Sequence, residues 1–222
     1  MEDVLDVYER PSEPAVARVC FDERPCQLLD EVMAPLPMRP GRERKEDYEY
    51  ERQGTCVLLL AYDLDRGKRY LQVRQQRTKV DYADFMDWLV ATHYPATTKV
   101  QVVQDNLNTH TYGALYEALP APRAHELKNT LEFHFTPKHG SWLNMAELEL
   151  SVLARQCLDR RIASAEALER EALAWQHERN EATVKIAWTF TTPKARLKFQ
   201  RHYNRTYART ILRDGFLSCW IR

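Results

Sequence analysis

The sequence has no C-x-x-C pair, no excess of either charge and no long apolar run, and each absence narrows what the chain can be. Its five cysteines, at positions 20, 26, 56, 157 and 219, are odd in number and scattered. That argues against a zinc ribbon and a disulfide framework, and for a reducing compartment. Lys plus Arg, 32, equals Asp plus Glu, 32, so the chain lacks the basic balance that advertises nucleic-acid binding. Any anionic partner must then be met by a local patch. The longest apolar stretch, Cys56–Tyr62, is far too short to span a bilayer. The acidic start MEDVLDVYERPSEP lacks the basic and apolar regions of a signal peptide. Internal repeats and low-complexity segments are missing too, and a soluble, cytoplasmic chain is the expectation. What is present is 222 residues with 44% hydrophobic content, enough for one large domain or two small ones with a real core.

After a polar lead over residues 1–14, Ala15–Phe21 is a short β-prone run ending at Asp22, and Cys26–Met33 is a second. Residues 35–54, rich in proline and mixed charge, read as a long connection. Thr55–Leu64 and the alternating Arg69–Gln76 follow as strands, with Asp65-Arg66-Gly67-Lys68 as the hairpin turn between them. The period then changes. Thr78 followed by Asp81 is a capped helix start, and Tyr82, Phe85, Met86, Leu89 and Val90 recur at three and four until Pro95 closes the helix. Thr98–Gln104 returns to strand, Tyr112–Leu119 is a short amphipathic helix, and LEFHFT (131–136) is a further strand. A long helix is expected from about Ser141 to Asp159 and another over Ser164–Asn180. A Trp-Thr-Phe strand fragment, the basic helix TPKARLKFQR and a tail complete the chain. Strands first, then alternating helices and strands, make a mixed sheet with helices on its faces.

One strand raises a question of chemistry. In VQVVQDNLNTHTY (100–112) an apolar run stops at Asp105-Asn106. Turn chemistry explains that ending, because Asp and Asn side chains bond nearby backbone. So does a functional crevice, because parallel strands deliver their C-terminal residues to one. Asp22, at the end of the first run, has the same address. A third acid would complete a metal site, and the helix after LEFHFT offers Glu147 and Glu149. On a helical wheel Glu147 borders the stripe Leu143, Ala146, Leu150, Ala154 and Cys157, whereas Glu149 lies with Met145, Val152 and Gln156. A carboxylate at the edge of a buried stripe is costly unless it is paired or ligates a metal, which favours Glu147. Three carboxylates are hard oxygen ligands suited to Mg²⁺ or Mn²⁺. Two such ions about 3.5–4 Å apart stabilise the attacking and leaving oxygens of a phosphoryl displacement.

The segments QDNLNTH (104–110), EFHFTPKHGSWLNMAELELSVLARQCLDRRI (132–162), FDERPCQLL (21–29) and DYEYERQGTC (47–56) carry a resemblance. Over residues 15–203 the chain resembles the catalytic domain of bacterial insertion-sequence transposases of the six-thirty family, related to the mariner transposases. The resemblance implies an α/β, RNase H-like fold, a mixed five-stranded sheet flanked by helices. It matches the family's Asp-Asp-Glu triad to Asp22, Asp105 and Glu147. It also implies Mg²⁺ (with Mn²⁺ as a substitute, two ions) and cleavage of transposon ends with water as nucleophile. The freed 3′-hydroxyl then joins target DNA at a TA-containing sequence. Such a protein acts on chromosomal or plasmid DNA in a prokaryotic cytoplasm.

Two departures shape the expectations. Relatives begin with a helix-turn-helix region that reads terminal repeats, and the residues before Asp22 leave no room for one. The chain is then expected to work as a homodimer or with a separately encoded helix-turn-helix half. The alternatives are an inactive, DNA-binding remnant and a structure-specific nuclease of the same fold. Residues 204–222 continue past the end of relatives as an atypical tail.

Supporting residues follow from position. Asn106, Asn108 and His110 come directly after the second aspartate, where they either orient it or the scissile strand, or serve turn and capping chemistry. Lys138 and His139 precede the Glu147 helix, where a phosphate meets a cation and a helix N-terminus. Ser141 reads as a helix N-cap, Trp142 and Asn144 as structural, and His134 as a core histidine. Asn144, one turn before Glu147, is also placed to orient it. Lys194, Arg196, Lys198 and Arg201, with Arg205, Arg209 and Arg213, form an acid-free basic stripe suited to phosphate neutralisation.

Overall fold

In the computed structural model residues 1–33, 36–43, 45, 47–201 and 203 are described. The elements in chain order are α1 (Glu2–Glu9), β1 (Val16–Glu31), β2 (Tyr50–Asp63), β3 (Arg69–Arg74), α2 (Lys79–His93), β4 (Lys99–Gln104), α3 (Tyr112–Ala118), α4 (Ala121–Thr130), β5 (Leu131–Phe135), α5 (Met145–Gln156), α6 (Ala165–Glu181) and α7 (Thr192–Lys198), with a 3-10 turn over Ser141–Leu143 before α5. They fall into two compact units. One is Pro11–Ile186 with Met1, and the other joins Glu2–Arg10 to the residues from Ala187 onward. No helix among the described residues is long and apolar enough to cross a membrane.

The larger unit is built on a five-stranded sheet of order β3-β2-β1-β4-β5. β1, β2 and β3 form an antiparallel meander, and β4 and β5 add to β1 in parallel. This is the mixed, RNase H-like sheet. The runs Ala15–Phe21 and Cys26–Met33 are not two strands, however, but one. Pro25 lies between the two runs and lacks an N–H. Here β1 outruns β4, whose pairing ends at Cys20–Val103, so at Pro25 β2 is the one strand paired with it among the described residues, and proline is tolerated. Two expectations fail elsewhere. Trp188–Phe190 forms no strand, and helices α1 and α4 were not anticipated.

Both faces of the sheet are covered, which is why VLLLAY in β2 is continuously apolar and not alternating. Ala17, Val19, Phe21, Leu59 and Ala61 share one buried cluster with Tyr82, Phe85, Met86 and Leu89 of α2. Thr78 caps α2 by accepting from the Asp81 N–H while the Asp81 carboxylate accepts from the Thr78 N–H, the reciprocal box read from the sequence. The Asp65–Lys68 hairpin turn also forms, with Gly67 at φ 65°, where a side chain is disfavoured. On the opposite face lie α5 and α6. Ser164 caps α6 as its position implied, accepting from the Ala167 N–H at 3.1 Å.

The α5 side holds a fully buried charge pair. Arg69, 0% exposed, grips Glu149, 1% exposed, through two hydrogen bonds of 2.8 and 2.7 Å, and Arg179 of α6 approaches the same carboxylate at 3.3 Å. The wheel had left Glu149 away from the stripe, yet it is the more deeply buried of the two glutamates because Arg69 waits for it on β3. Removing one partner strands the other charge in the interior. Glu149→Ala should therefore lower the unfolding free energy by about 3–5 kcal/mol, and the apolar pair Arg69→Met with Glu149→Leu should recover most of it. Urea denaturation of the three proteins measures both effects.

Candidate active site

Parallel register brings the first two acids together. Cys20 pairs with Val103, so Asp22 and Asp105 each lie two residues further along adjacent strands. β4 stops at Gln104, whose side chain is fixed by the Tyr82 hydroxyl at 2.8 Å, and Asp105 follows at the sheet's open end. Asp22, by contrast, lies in mid-strand, at the point where β1 leaves β4 behind. Its Oδ1 accepts the Glu23 N–H at 2.8 Å.

Glu147 arrives from α5. The expected helix start at Ser141 is a 3-10 turn instead, and α5 proper is capped by Asn144, whose Oδ1 accepts the Ala146 N–H at 3.1 Å. The Asn144 Nδ2 donates to the Phe21 carbonyl at 2.8 Å, so this buried amide ties the first turn of α5 to the residue before Asp22. Asn144 thus fixes the start of the helix that carries Glu147. Ser141 is no cap of α5, and Trp142 is 40% exposed. His134 is buried, as expected of a core histidine, with Nε2 3.3 Å from Glu132.

Asp22, Asp105 and Glu147 line one cleft of about 300 Å³ with Thr136, Asn144 and Ser151. The sheet and helix thereby gather acids that are far apart in sequence. Burial raises the Asp22 carboxyl to about 7, and the neighbouring charges of Glu23, Asp105 and Glu147 add to the rise, against the Glu23 N–H, which favours the ionised form. Glu147 Oε2 is buried with no hydrogen-bond partner among the described residues. An orphaned carboxylate oxygen beside a crowded acid is the environment a hard divalent cation would relieve, and the donors are all oxygen. The set fits such an ion in chemistry. Among the described residues no three His, Cys, Asp or Glu side chains stand as a ready-made metal cluster, so the carboxylates must converge to hold one.

His110 is the supporting residue with the clearest contacts. It is 1% exposed, with Nδ1 2.6 Å from Asp105 Oδ1 and Nε2 3.0 Å from Glu23 Oε2. Both ring nitrogens face carboxylates, which favours the doubly protonated ring. Burial alone would lower its pKa, but the hydrogen bonds and charges of Asp105 and Glu23 outweigh it and raise the imidazolium to about 9. Tyr82 stacks on the ring at 4.8 Å and Phe21 meets it edge-on. Glu23, which the sequence reading passed over, also approaches Arg77 at 3.4 Å. Its signal was its place directly after Asp22, on the opposite face of β1.

Asn106 and Asn108 are exposed, as are Lys138 and His139 in the loop before the 3-10 turn, where His139 has φ 64°. Among the described residues none of these four side chains has a hydrogen bond or ion pair that ties it to the cleft. Lys194, Arg196, Lys198 and Arg201 belong to the smaller unit. There Arg196 is not free. It grips Glu2 at 2.8 and 2.9 Å and, with Tyr203, holds that carboxyl down to about 2. Lys194 donates to the Thr189 carbonyl at 2.6 Å, and Lys198 lies 5.8 Å from the Phe190 ring. Arg205, Arg209 and Arg213 lie outside the described residues.

Against known proteins, residues 17–169 match the model of the DDE superfamily endonuclease, and the chain belongs to that family. No curated protein sequence matches it. Among solved structures it is similar to a Mos1 mariner paired end complex with Mn, at 16% identity and TM-score 0.55, over 82% of this chain and 56% of that one. It is similar also to a Mos1 transposase paired-end complex with left transposon end, at 16% identity and TM-score 0.53, over 83% of this chain and 61% of that one. At such identities the likeness is one of fold, and the chain spans little more than half the length of those structures.

A pH dependence follows from Asp22. A carboxyl raised from 3.8 to about 7 favours the folded state below the lower value, and that stability is lost as pH rises to the upper one. Without divalent cations the protein should lose stability between about pH 4 and pH 7, and Asp22→Asn should flatten that slope. Thermal melts across that range in chelator give the answer. An unchanged slope in the variant would show that Asp22 is not the group responsible.

Proposed function

We propose that the chain is the catalytic domain of a DNA transposase, cutting transposon ends and joining them to target DNA with Asp22, Asp105 and Glu147 as the ligands of Mg²⁺ or Mn²⁺. The observation that carries this is the meeting of those three acids in one cleft, on the sheet of a DDE endonuclease. Bound there, two hard cations would activate water and stabilise the leaving oxygen.

The chain's own residues have separate tasks. Asp22 and Asp105 present carboxylates from neighbouring parallel strands, so the rigid sheet sets their spacing. Asn144 and the Arg69–Glu149 pair fix α5, and α5 aims Glu147. The His110 imidazolium holds one oxygen of Asp105 and leaves the other for a cation, while Glu23 holds His110 in turn. Outside the cleft, Lys138 and His139 are placed to meet a phosphate, and Lys194, Lys198 and Arg201 to add backbone contacts. Residues 15–203 form the catalytic part, with DNA as partner. Pairing with a second copy, or with a separately encoded end-reading half, completes the active assembly.

The test is the nicking of supercoiled DNA in Mn²⁺, read as conversion to the open circle. Wild type should nick, and Asp105→Asn should reduce nicking to the level of buffer while its circular dichroism stays unchanged. Full activity in a folded Asp105→Asn protein would remove Asp105 from the site.

A further inference from the structure

The cleft continues beyond the triad. Past Cys20, no strand among the described residues pairs with β1 on its β4 side, and two adjoining cavities lie along that stretch until the Leu29 N–H meets the Ile162 carbonyl at 2.9 Å. Arg24 and Pro25 line both the triad cleft and a second cavity of about 160 Å³, which holds Cys26, Leu158 and Ile162 and has Arg160 in its wall. Alternation along the strand puts Asp22, Arg24 and Cys26 on one face, so Arg24 is the next side chain beyond Asp22 on that face.

Its charge is what sets Arg24 apart. Arg18, Arg69 and Arg77 are paired with Asp65, Glu149 and Glu23. Arg24 is exposed, and its side chain makes no ion pair or hydrogen bond among the described residues. A guanidinium left unpaired beside a cluster of carboxylates is available to an anion brought from outside. Arg160 is about half exposed, and among the described residues it pairs with Glu171 at 2.5 Å. Surface pairs of this kind are weak enough to exchange for a phosphate. Between the two arginines the lining mixes polar and apolar groups, and Pro25, Leu158 and Ile162 offer contact to sugars and bases.

We infer that this groove carries the DNA strand leading away from the triad, with Arg24 and Arg160 each contacting a backbone phosphate. The inference rests on the transposase reading and extends it by giving the substrate a direction across the protein. A groove that sets two cations beside apolar side chains such as Leu158 and Ile162 matches a nucleic-acid strand, which is charged along its backbone and apolar on its base faces.

The experiment is anisotropy of a short fluorescein-labelled DNA, titrated over a range of salt with wild type, Arg24→Ala, Arg160→Ala, Arg24→Lys and Arg170→Ala. Arg170, 71% exposed on α6, does not line the groove and serves as a control for general charge. Each groove alanine should weaken binding and make the slope of log K against log salt shallower, by about 0.7 for a single strand or about 0.9 for a duplex. Arg24→Lys should restore the wild-type slope, and Arg170→Ala should leave it unchanged. Wild-type slopes in both groove alanines, or an equal loss in Arg170→Ala, would overturn the groove while leaving the transposase reading in place. Failure of wild type to bind DNA even at low salt would overturn both.

Discussion

Like charges gathered in a half-buried cleft oppose folding, and the site of this protein depends on holding them there. Asp22, Asp105 and Glu147 meet where water is partly excluded, and the Asp22 carboxyl is pushed up to about 7. Such an arrangement persists only when the surrounding structure determines it. The scaffold has two strong anchors, each a buried polar contact between elements remote in sequence. Asn144 ties the start of α5 to the Phe21 carbonyl, and Arg69 ties its second turn to β3 through Glu149. Together they set the rotation and height of α5, and with them the place from which Glu147 reaches the cleft.

The second aspartate is held differently. His110 stands between Asp105 and Glu23 and, as a cation, offsets part of the negative charge next to the cleft. Its position beneath the sheet end, stacked on Tyr82 and against Phe21, connects the site to the same core that α2 builds. The chemistry of the cleft and the packing of one face are therefore coupled. The Phe21, Tyr82 and Phe85 rings that pack together are thus the ones that bear on His110, through Phe21 and Tyr82.

Much of this was legible in the sequence, for local reasons. Thr78 and Asp81 announce the α2 cap, Asp65–Lys68 the hairpin, and the period of Tyr82 to Val90 the helix, because each signal lies within a few residues. The strand ending at Asp105 was legible as a strand, but its meaning came from resemblance rather than from spacing. What escaped was set by pairing at a distance. Pro25 reads as a break unless it is known that β4 stops short, and β1 is in fact continuous. The wheel favoured Glu147 for its place at the edge of a stripe, but it could not foresee that Arg69 would bury Glu149 more deeply. Glu23 was hidden in the same way, since its partner His110 lies on another loop.

The central claim is that three acids form a single cation site, and a calorimetric Mn²⁺ titration addresses it without need of DNA. Wild type, Asp105→Asn and Glu147→Gln would be compared, each first shown to be folded. Saturable binding by wild type that is lost in both variants is the result expected of a shared site. Binding that survives in either variant, or a folded wild type that takes up no metal, would contradict it.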